Sequence, residues 1–263
     1  MTASAIFQIK SIQRIHTDIK TDAKVAAMSP TGDYILLTSG ANQGLWCYNL
    51  SSKKTTLITQ ADGAGYNVQI SKDGQEIVYQ ETTIDQNHLR RSNIIRTNIA
   101  NKQTITIARG QRNASLMVNS DSKASIAIED QLMVLTKDGK KTILAPQGTN
   151  ESYIWPSISP DGTKICYYVC GNGCWVANID GSNPQYIGHE CRAAQWYDNQ
   201  TIVAMEDKDD GHFITSSAIV AYTLDGRYQV LTKSNMIAMY PQTAKGLITF
   251  ATLKGEIYLI TLK

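Results

Sequence analysis

A short turn motif returns along the chain about every forty residues and limits the fold more than any other feature of the sequence. Its clearest copy is Ser-Pro-Asp-Gly at residues 159–162, which follows a short apolar run. Proline presets the first φ angle of a turn and Asp-Gly is a strong turn signal, so this copy predicts a tight turn between strands. Two β-rich runs at 165–169 and 175–179, separated by Gly-Asn-Gly, predict two further strands.

The motif also has weaker copies, and each precedes a similar series of short apolar runs. They stand at residues 29–32, 71–74, 119–122, 196–199 and 240–241. Four short strands per copy, joined by polar turns and without an amphipathic helix, favour the blades of a β-propeller. We therefore predict an all-β chain of six four-stranded antiparallel blades, forming a single domain over residues 1–263.

The two ends of the chain predict how the ring closes. The sixth copy supplies only three strands before the sequence ends, and residues 5–15 form an apolar run that has no partner in the first copy. Placing this run as the fourth strand of the last blade closes the ring and leaves only short sheet edges exposed. The segments 81–93 and 208–217 are predicted to be the longest loops.

The turn motif resembles the repeat of the TolB-like propellers, called the PD40 or WD40-like repeat. Residues 159–165 match it best, 29–33 and 71–75 match in part, and the other copies have lost most of the motif. The chain is also similar to the propeller domains of prolyl-oligopeptidase and dipeptidyl-peptidase-type proteins, without their catalytic domain. The TolB-like resemblance implies an exported bacterial protein, often periplasmic or lipid-anchored, that binds other proteins.

Charge and hydropathy exclude some partners. The formal net charge of +2 gives no strong attraction to nucleic acid, and no apolar run approaches the roughly 20 residues of a membrane span. The dense acidic segment 206–210 is interpreted as a solvated loop. Because the first residues lack a signal peptide, we expect a periplasmic or envelope-associated protein if an export signal has been removed, and a cytoplasmic one otherwise. A closed ring needs no partner to fold, which favours a monomer.

No catalytic motif is present in the sequence, so we predict no catalytic residue, metal site or cofactor. The Gly-x-Ser-x-Gly and phosphate-loop patterns are absent, and His189-Glu190 lacks the second histidine of a metalloprotease. Cys170 and Cys174 flank the Gly-Asn-Gly turn and could form a disulfide across a hairpin. Free cysteines are the favoured interpretation, and a zinc site formed by Cys170, Cys174, His189 and Cys191 is a remaining alternative.

The predicted binding residues lie where the first strand of each blade would enter one mouth of the propeller channel. They are Tyr66, Asn67, Arg112, Asn113, Tyr153, Trp155, Arg192 and Met236. Aromatic, amide and arginine side chains are enriched at interfaces and in ligand pockets. The leading hypothesis is a non-enzymatic protein that binds a protein, peptide or glycan there. The alternatives are a sugar-polymer lyase or hydrolase with a metal in the channel, and a structural scaffold of a cell-envelope complex.

Overall fold

The computed structural model describes residues 5–19, 22–111 and 124–263. The chain is an all-β, six-bladed propeller, as the repeat predicts. Its described strands are β1 (Ile9–Ile15), β2 (Lys24–Met28), β3 (Tyr34–Thr38), β4 (Leu45–Asn49), β5 (Thr55–Thr59), β6 (Gln69–Ile70), β7 (Glu76–Ile84), β8 (Arg90–Asn98), β9 (Thr104–Gln111), β10 (Ala124–Glu129), β11 (Leu132–Lys137), β12 (Lys140–Leu144), β13 (Tyr153–Ile158), β14 (Lys164–Val169), β15 (Gly173–Asn178), β16 (Gln185–Gly188), β17 (Arg192–Trp196), β18 (Thr201–Asp209), β19 (Ile214–Thr223), β20 (Tyr228–Val230), β21 (Ala238–Ala244), β22 (Leu247–Thr252) and β23 (Ile257–Leu262). Among the residues that the structure describes, one 3-10 turn is present, Ser234–Met236, before β21.

Each blade is an antiparallel sheet in which strands that follow one another along the chain are neighbours. In chain order, blade 1 contains β2 to β5, blade 2 contains β6 to β9, blade 3 contains β10 to β12, blade 4 contains β13 to β16, blade 5 contains β17 to β20, and blade 6 contains β21 to β23 with β1. Blade 3 has three strands among the described residues, and the turn copy at 119–122 lies outside them. No described helix has the length and apolarity needed to cross a bilayer.

The first strand of the chain completes the last blade, which confirms the predicted closure. The strand order of blade 6 is β1-β23-β22-β21. The Lys263 amide donates to the Gln8 carbonyl at 2.9 Å, which fastens the two ends of the chain to each other. The Phe7 amide donates to Oε1 of Gln229 at 2.8 Å, so the first residues are also held against blade 5.

The repeated turn is stabilised by a local network of hydrogen bonds. Ser159 Oγ donates to Oδ1 of Asp161 at 2.7 Å and accepts from the amide of Lys164 at 2.9 Å. The same carboxylate oxygen accepts from the Thr163 amide at 3.0 Å. Ser71 makes the equivalent contacts in blade 2. The motif therefore specifies the turn because its serine and aspartate satisfy backbone groups that the two strands leave free.

Two compact units make up the chain, and the prediction of a single domain stays a prediction. One unit comprises 1–12, 122–243 and 260–263, and the other comprises 13–121 and 244–259. In the first unit, the apolar core between blades 4 and 5 is centred on Cys166, Val176, Ile202 and Val220. The larger core residues in the second unit include Met28, Tyr34, Ile35, Leu36, Leu37, Leu45, Tyr48, Ile77, Tyr79, Ile95 and Ile257.

The two segments predicted as long loops are largely strands, so that prediction is wrong. Residues of β7 and β8 pair from Glu76↔Asn98 out to Ile84↔Arg90, and β18 and β19 pair out to Asp209↔Ile214. Polar residues fill both hairpins, and an antiparallel pair tolerates them on a solvated face. The β7–β8 ladder is continuous, and the β18–β19 ladder has one register shift, between Lys208 and Asp209. The acidic segment 206–210 therefore begins inside β18 and is not a loop.

The cysteines are free, and the Cys170–Cys174 disulfide is not formed. Cys174 lies opposite Tyr168 in the pairing of β14 with β15, and its side chain is buried in the core. Its Sγ is 3.6 Å from Sγ of Cys166, whereas Cys170 is exposed beyond the end of β14. The alternation of side chains along β15 explains the difference, since it turns residue 174 inward.

Candidate binding site

In the innermost strands of blades 4, 5 and 6, one non-glycine residue lies in the left-handed region. Trp155 has φ 51°, Ala193 has φ 49° and Tyr240 has φ 51°. In β13 the register shifts between Ile154 and Ser157, next to Trp155. Bulges next to functional sites re-aim side chains, and left-handed backbone at bulky residues costs about 1–2 kcal/mol. The repeated left-handed residue therefore points to the start of the innermost strands as a place where side-chain direction matters.

Trp155 lies in an aromatic pair at the edge of the core between blades 4 and 5. Its ring meets that of Tyr168 edge to face, with centroids 5.7 Å apart. Tyr168 is only 6% exposed, while Trp155 is partly exposed. The indole thus packs on the core through one part of its surface and leaves another part open to a ligand.

Next to this pair, three charged side chains form what we call the Arg192 cluster: Glu190, Arg192 and Asp207. Nη1 of Arg192 donates to Oδ2 of Asp207 at 2.7 Å, and Nη2 lies 3.3 Å from Oε2 of Glu190. The guanidinium also interacts with the hydroxyl of Tyr168, which connects the cluster to the aromatic pair. β17 and β18 bring the cluster together, since Arg192 lies opposite Met205, two residues before Asp207.

Burial of Asp207 makes this cluster electrostatically unusual. Its side chain is 2% exposed, against 27% for Arg192 and 39% for Glu190. Burial raises the pKa of the Asp207 carboxyl above its ordinary value, the Arg192 guanidinium opposes that rise, and Glu190 adds to it. Oδ1 of Asp207 has no hydrogen-bond partner. A buried acceptor without a donor lowers the stability of the folded protein, because it has lost its hydrogen bonds to water.

The neighbouring carboxylate on the opposite face of β18 is fully satisfied. Glu206 accepts hydrogen bonds from the hydroxyls of Tyr222 and Tyr228, the latter at 2.7 Å. Burial and the contact with Glu206 raise the pKa of Tyr222. Adjacent residues of one strand thus differ sharply: Glu206 has two donors, whereas Asp207 keeps one oxygen unpaired. Neither residue was predicted, because an acidic run is typical of a solvent-exposed segment. No local sequence pattern indicates that Asp207 is buried.

The structure brings together two of the eight predicted residues, Trp155 and Arg192, through Tyr168. Tyr153 is 1% exposed and its hydroxyl donates to the Gly148 carbonyl at 3.0 Å, so it belongs to the interior. Met236 lies in the 3-10 turn, and the left-handed residue of blade 6 is Tyr240.

The other predicted residues belong to a different part of the chain. Tyr66 is 57% exposed, and Asn67 has φ 59° directly before blade 2. Arg112 and Asn113 lie outside the described residues. This second unit also contains a shallow cavity of about 640 Å³. None of the eight predicted residues lines it; its polar side chains, among them Asp18, Asp22, Gln43 and Gln60, are exposed.

The Arg192 cluster is suited to binding by charge and hydrogen bonding. Within 5–19, 22–111 and 124–263, no group of three or more His, Cys, Asp or Glu side chains is arranged to hold a metal ion. The zinc alternative, which included Cys174 and Cys191, therefore has no described ligand set, and both thiols lie in the apolar core. The cluster offers a guanidinium and two carboxylates, and the neighbouring Trp155 offers a partly open indole.

No protein-family model matches the chain, and no curated protein matches it. Solved structures do. A structure described as a TolB from Agrobacterium tumefaciens is 16% identical with a TM-score of 0.60, and the match covers 92% of this chain and 90% of that one. TolB from Acinetobacter baumannii is 15% identical with a TM-score of 0.59, over 82% of this chain and 55% of that protein's length. An oligogalacturonate lyase in complex with manganese is 14% identical with a TM-score of 0.53, over 90% and 76%. At these identities the likeness establishes the fold.

Proposed function

We propose that this propeller is a binding protein that recognises a protein, peptide or glycan ligand at one mouth, through Trp155 and the Arg192 cluster. The observation that carries the proposal is a partly open indole next to a charged cluster whose buried carboxylate has an unpaired oxygen. Tryptophan and arginine dominate the energetics of protein interfaces. The fold likeness to TolB is consistent with this role, and an exported, periplasmic setting belongs to the same proposal.

The bulge supports the choice of Trp155 as an anchor. A tryptophan that only fills a core does not require left-handed backbone, and its φ of 51° departs from what the rest of the strand adopts. Backbone strain of this kind persists where the surrounding structure enforces it, and it is frequent at ligand-binding positions. In blade 5 an alanine, Ala193, adopts the same conformation, so the left-handed residue belongs to the repeated strand, and in blade 4 it sets the direction of the Trp155 indole.

The test compares two aromatic residues of blade 4. The full chain is screened against a displayed peptide library and a glycan array, and each ligand recovered is titrated against wild type, Trp155→Ala and Tyr186→Ala. Tyr186 is 47% exposed on the outer strand β16 and serves as the matched control. We expect Trp155→Ala to weaken binding about tenfold or more and Tyr186→Ala to leave it unchanged. Unchanged affinity in Trp155→Ala, or screens that return no ligand, contradict the proposal.

The alternative enzyme, acting on a sugar polymer with a metal, is suggested by the likeness to an oligogalacturonate lyase bound to manganese. That likeness concerns the fold, and the described residues offer no ligand set of three. Stoichiometric manganese or zinc in the purified protein would favour this second function over the first.

A further inference from the structure

The unpaired acceptor in the Arg192 cluster indicates what kind of ligand would complete it. Oδ1 of Asp207 is a hydrogen-bond acceptor in a side chain that is 2% exposed, and it has no donor. An ionised carboxylate accepts hydrogen bonds and cannot donate one. The missing partner is therefore a donor, and a ligand that supplies one removes a cost that the free protein carries.

The balance of charge favours a cationic donor over a neutral one. Glu190 and Asp207 both contact Arg192, so two carboxylates share one guanidinium. His189 lies near the other Glu190 oxygen, with Nε2 3.8 Å from Oε1, and its side chain is 59% exposed. Two carboxylates and one guanidinium give the ionised cluster more negative than positive groups. A ligand cation near the surface is attracted to Glu190 first, since that carboxylate is the more exposed of the two.

The neighbouring aromatic pair is also suited to a cation. Trp155 is partly exposed and is connected to Arg192 through Tyr168. Indole is the aromatic side chain that attracts a cation most strongly through its ring face. A flat cation with several N–H donors can bond a carboxylate and contact an indole at the same time, which neither a carboxylate ligand nor an apolar ligand can do.

We propose that the Arg192 cluster accepts the cationic side chain of an arginine or lysine in a peptide ligand, through Glu190, Asp207 and the face of Trp155. This inference rests on the proposed binding function and names the ligand class for the same site. The cation meets Glu190 first, because the Glu190 side chain is 39% exposed and that of Asp207 only 2%. Arginine is the better of the two because its fork of donors matches two carboxylates.

The test uses two peptides that differ only in charge. Acetyl-Gly-Arg-Gly-amide and the same peptide with citrulline, a neutral isostere, are titrated into the full chain by NMR or calorimetry at low and high salt. We expect the arginine peptide to bind in the millimolar range, about tenfold or more tighter than the citrulline peptide, and to weaken with salt. Equal binding of the two peptides, as expected if water satisfies Asp207, overturns the proposal, and so does no binding of either.

Three variants locate the binding. Glu190→Gln and Asp207→Asn each remove one negative charge with little change of shape, and we expect each to weaken the arginine peptide about tenfold. Glu129→Gln makes the same change at an exposed ion pair with Lys141 on blade 3 and should have no effect. Thermal unfolding of each variant identifies loss of folding, and Glu190→Gln remains informative if Asp207→Asn is unstable, because Glu190 is 39% exposed.

A neutral disaccharide separates failure of this inference from failure of the proposed function. If maltose or cellobiose binds, and Trp155→Ala abolishes that binding while the arginine peptide does not compete, the mouth is a binding site and the cationic ligand class is wrong. If the arginine peptide binds equally well to wild type, Glu190→Gln and Trp155→Ala, both the ligand class and the location are wrong.

Discussion

The Ser159 turn of blade 4 and the Arg192 cluster of blade 5 both bury polar groups. In the turn these groups find their hydrogen-bond partners locally, whereas in the cluster they do not all find one. Ser159 is 3% exposed, and its hydroxyl both donates and accepts within five residues of sequence. Asp207 is 2% exposed, depends on Arg192 fifteen residues away, and keeps one oxygen unpaired. A self-satisfied network that recurs at Ser71 serves the fold. A network in which two buried oxygens, Oδ1 of Asp207 and Oε2 of Glu190, accept no hydrogen bond is better explained by a ligand.

The strongest test of this comparison removes the cation that holds Asp207. Arg192→Met leaves a buried carboxylate without its partner, and we expect a loss of about 3 kcal/mol in the free energy of unfolding, measured with urea. The double variant Arg192→Met, Asp207→Leu should recover most of the loss, because replacing both ions of a buried pair by apolar groups is often neutral.

Arg227→Met is the matched control for that experiment. Arg227 pairs with Asp225 at 3.3 Å, and their side chains are 44% and 66% exposed. An exposed pair contributes little, so we expect a change below about 1 kcal/mol. If Arg192→Met and Arg227→Met destabilise the protein equally, Asp207 is not held as the structure indicates, and the comparison fails.

The next largest effect is expected in the turn. Ser159→Ala removes the donor to Asp161 and the acceptor of the Lys164 amide, so we expect a loss of about 1–3 kcal/mol, and the same for Ser71→Ala. Ser182→Ala is the control, because its hydroxyl also donates to an aspartate, Asp180, but on an exposed turn. If Ser159→Ala and Ser182→Ala lose equal free energy of unfolding, burial does not determine how much the repeated serine stabilises the protein.

The same contrast explains what the sequence could predict. The turns and blades were predictable because their hydrogen bonds and apolar alternation are local, so a few adjacent residues specify each. The outward extension of β18 was missed because 206–210 is strongly acidic. Its pairing with β19 is decided by the partner strand, and composition does not reveal it.

The site was predictable only in part, for reasons of register and distance. Trp155 was predicted because it lies just before the clearest copy of the turn motif, at 159–162. The degenerate copy at 240–241 led to Met236, whereas the structure has the left-handed residue of blade 6 at Tyr240. The turn from Tyr197 to Thr201 in blade 5 is one residue shorter than that from Ser159 to Lys164. A weak motif cannot reveal such a deletion, and nothing local marks the contact of Arg192 with Asp207.

The smallest expected effect is the dependence of stability on pH. The two regions should change the free energy of unfolding in opposite directions as pH rises. The hydrogen bond from Ser159, followed by that from the Thr163 amide, lowers the pKa of Asp161, whereas burial raises that of Asp207. A lowered pKa gives stability that is present above the unfolded value of about 4 and is lost as pH falls through the folded value. A raised pKa gives stability that is present below about 4 and is lost as pH rises through the folded value.

Asp161→Asn and Asp207→Asn should therefore respond to pH in opposite directions when their unfolding free energies are measured against wild type from about pH 3 to about pH 7. The deficit of Asp161→Asn should shrink as pH falls below about 4, because wild type loses its advantage there. Asp207→Asn should gain on wild type as pH rises above about 4, because the wild-type carboxyl must then ionise in a buried place. Any constant cost of leaving Arg192 unpaired shifts the second curve without changing its slope. Parallel slopes in the two variants would mean that Asp207 is solvated like Asp161, and its unpaired oxygen would then be no reason to place a ligand at blade 5.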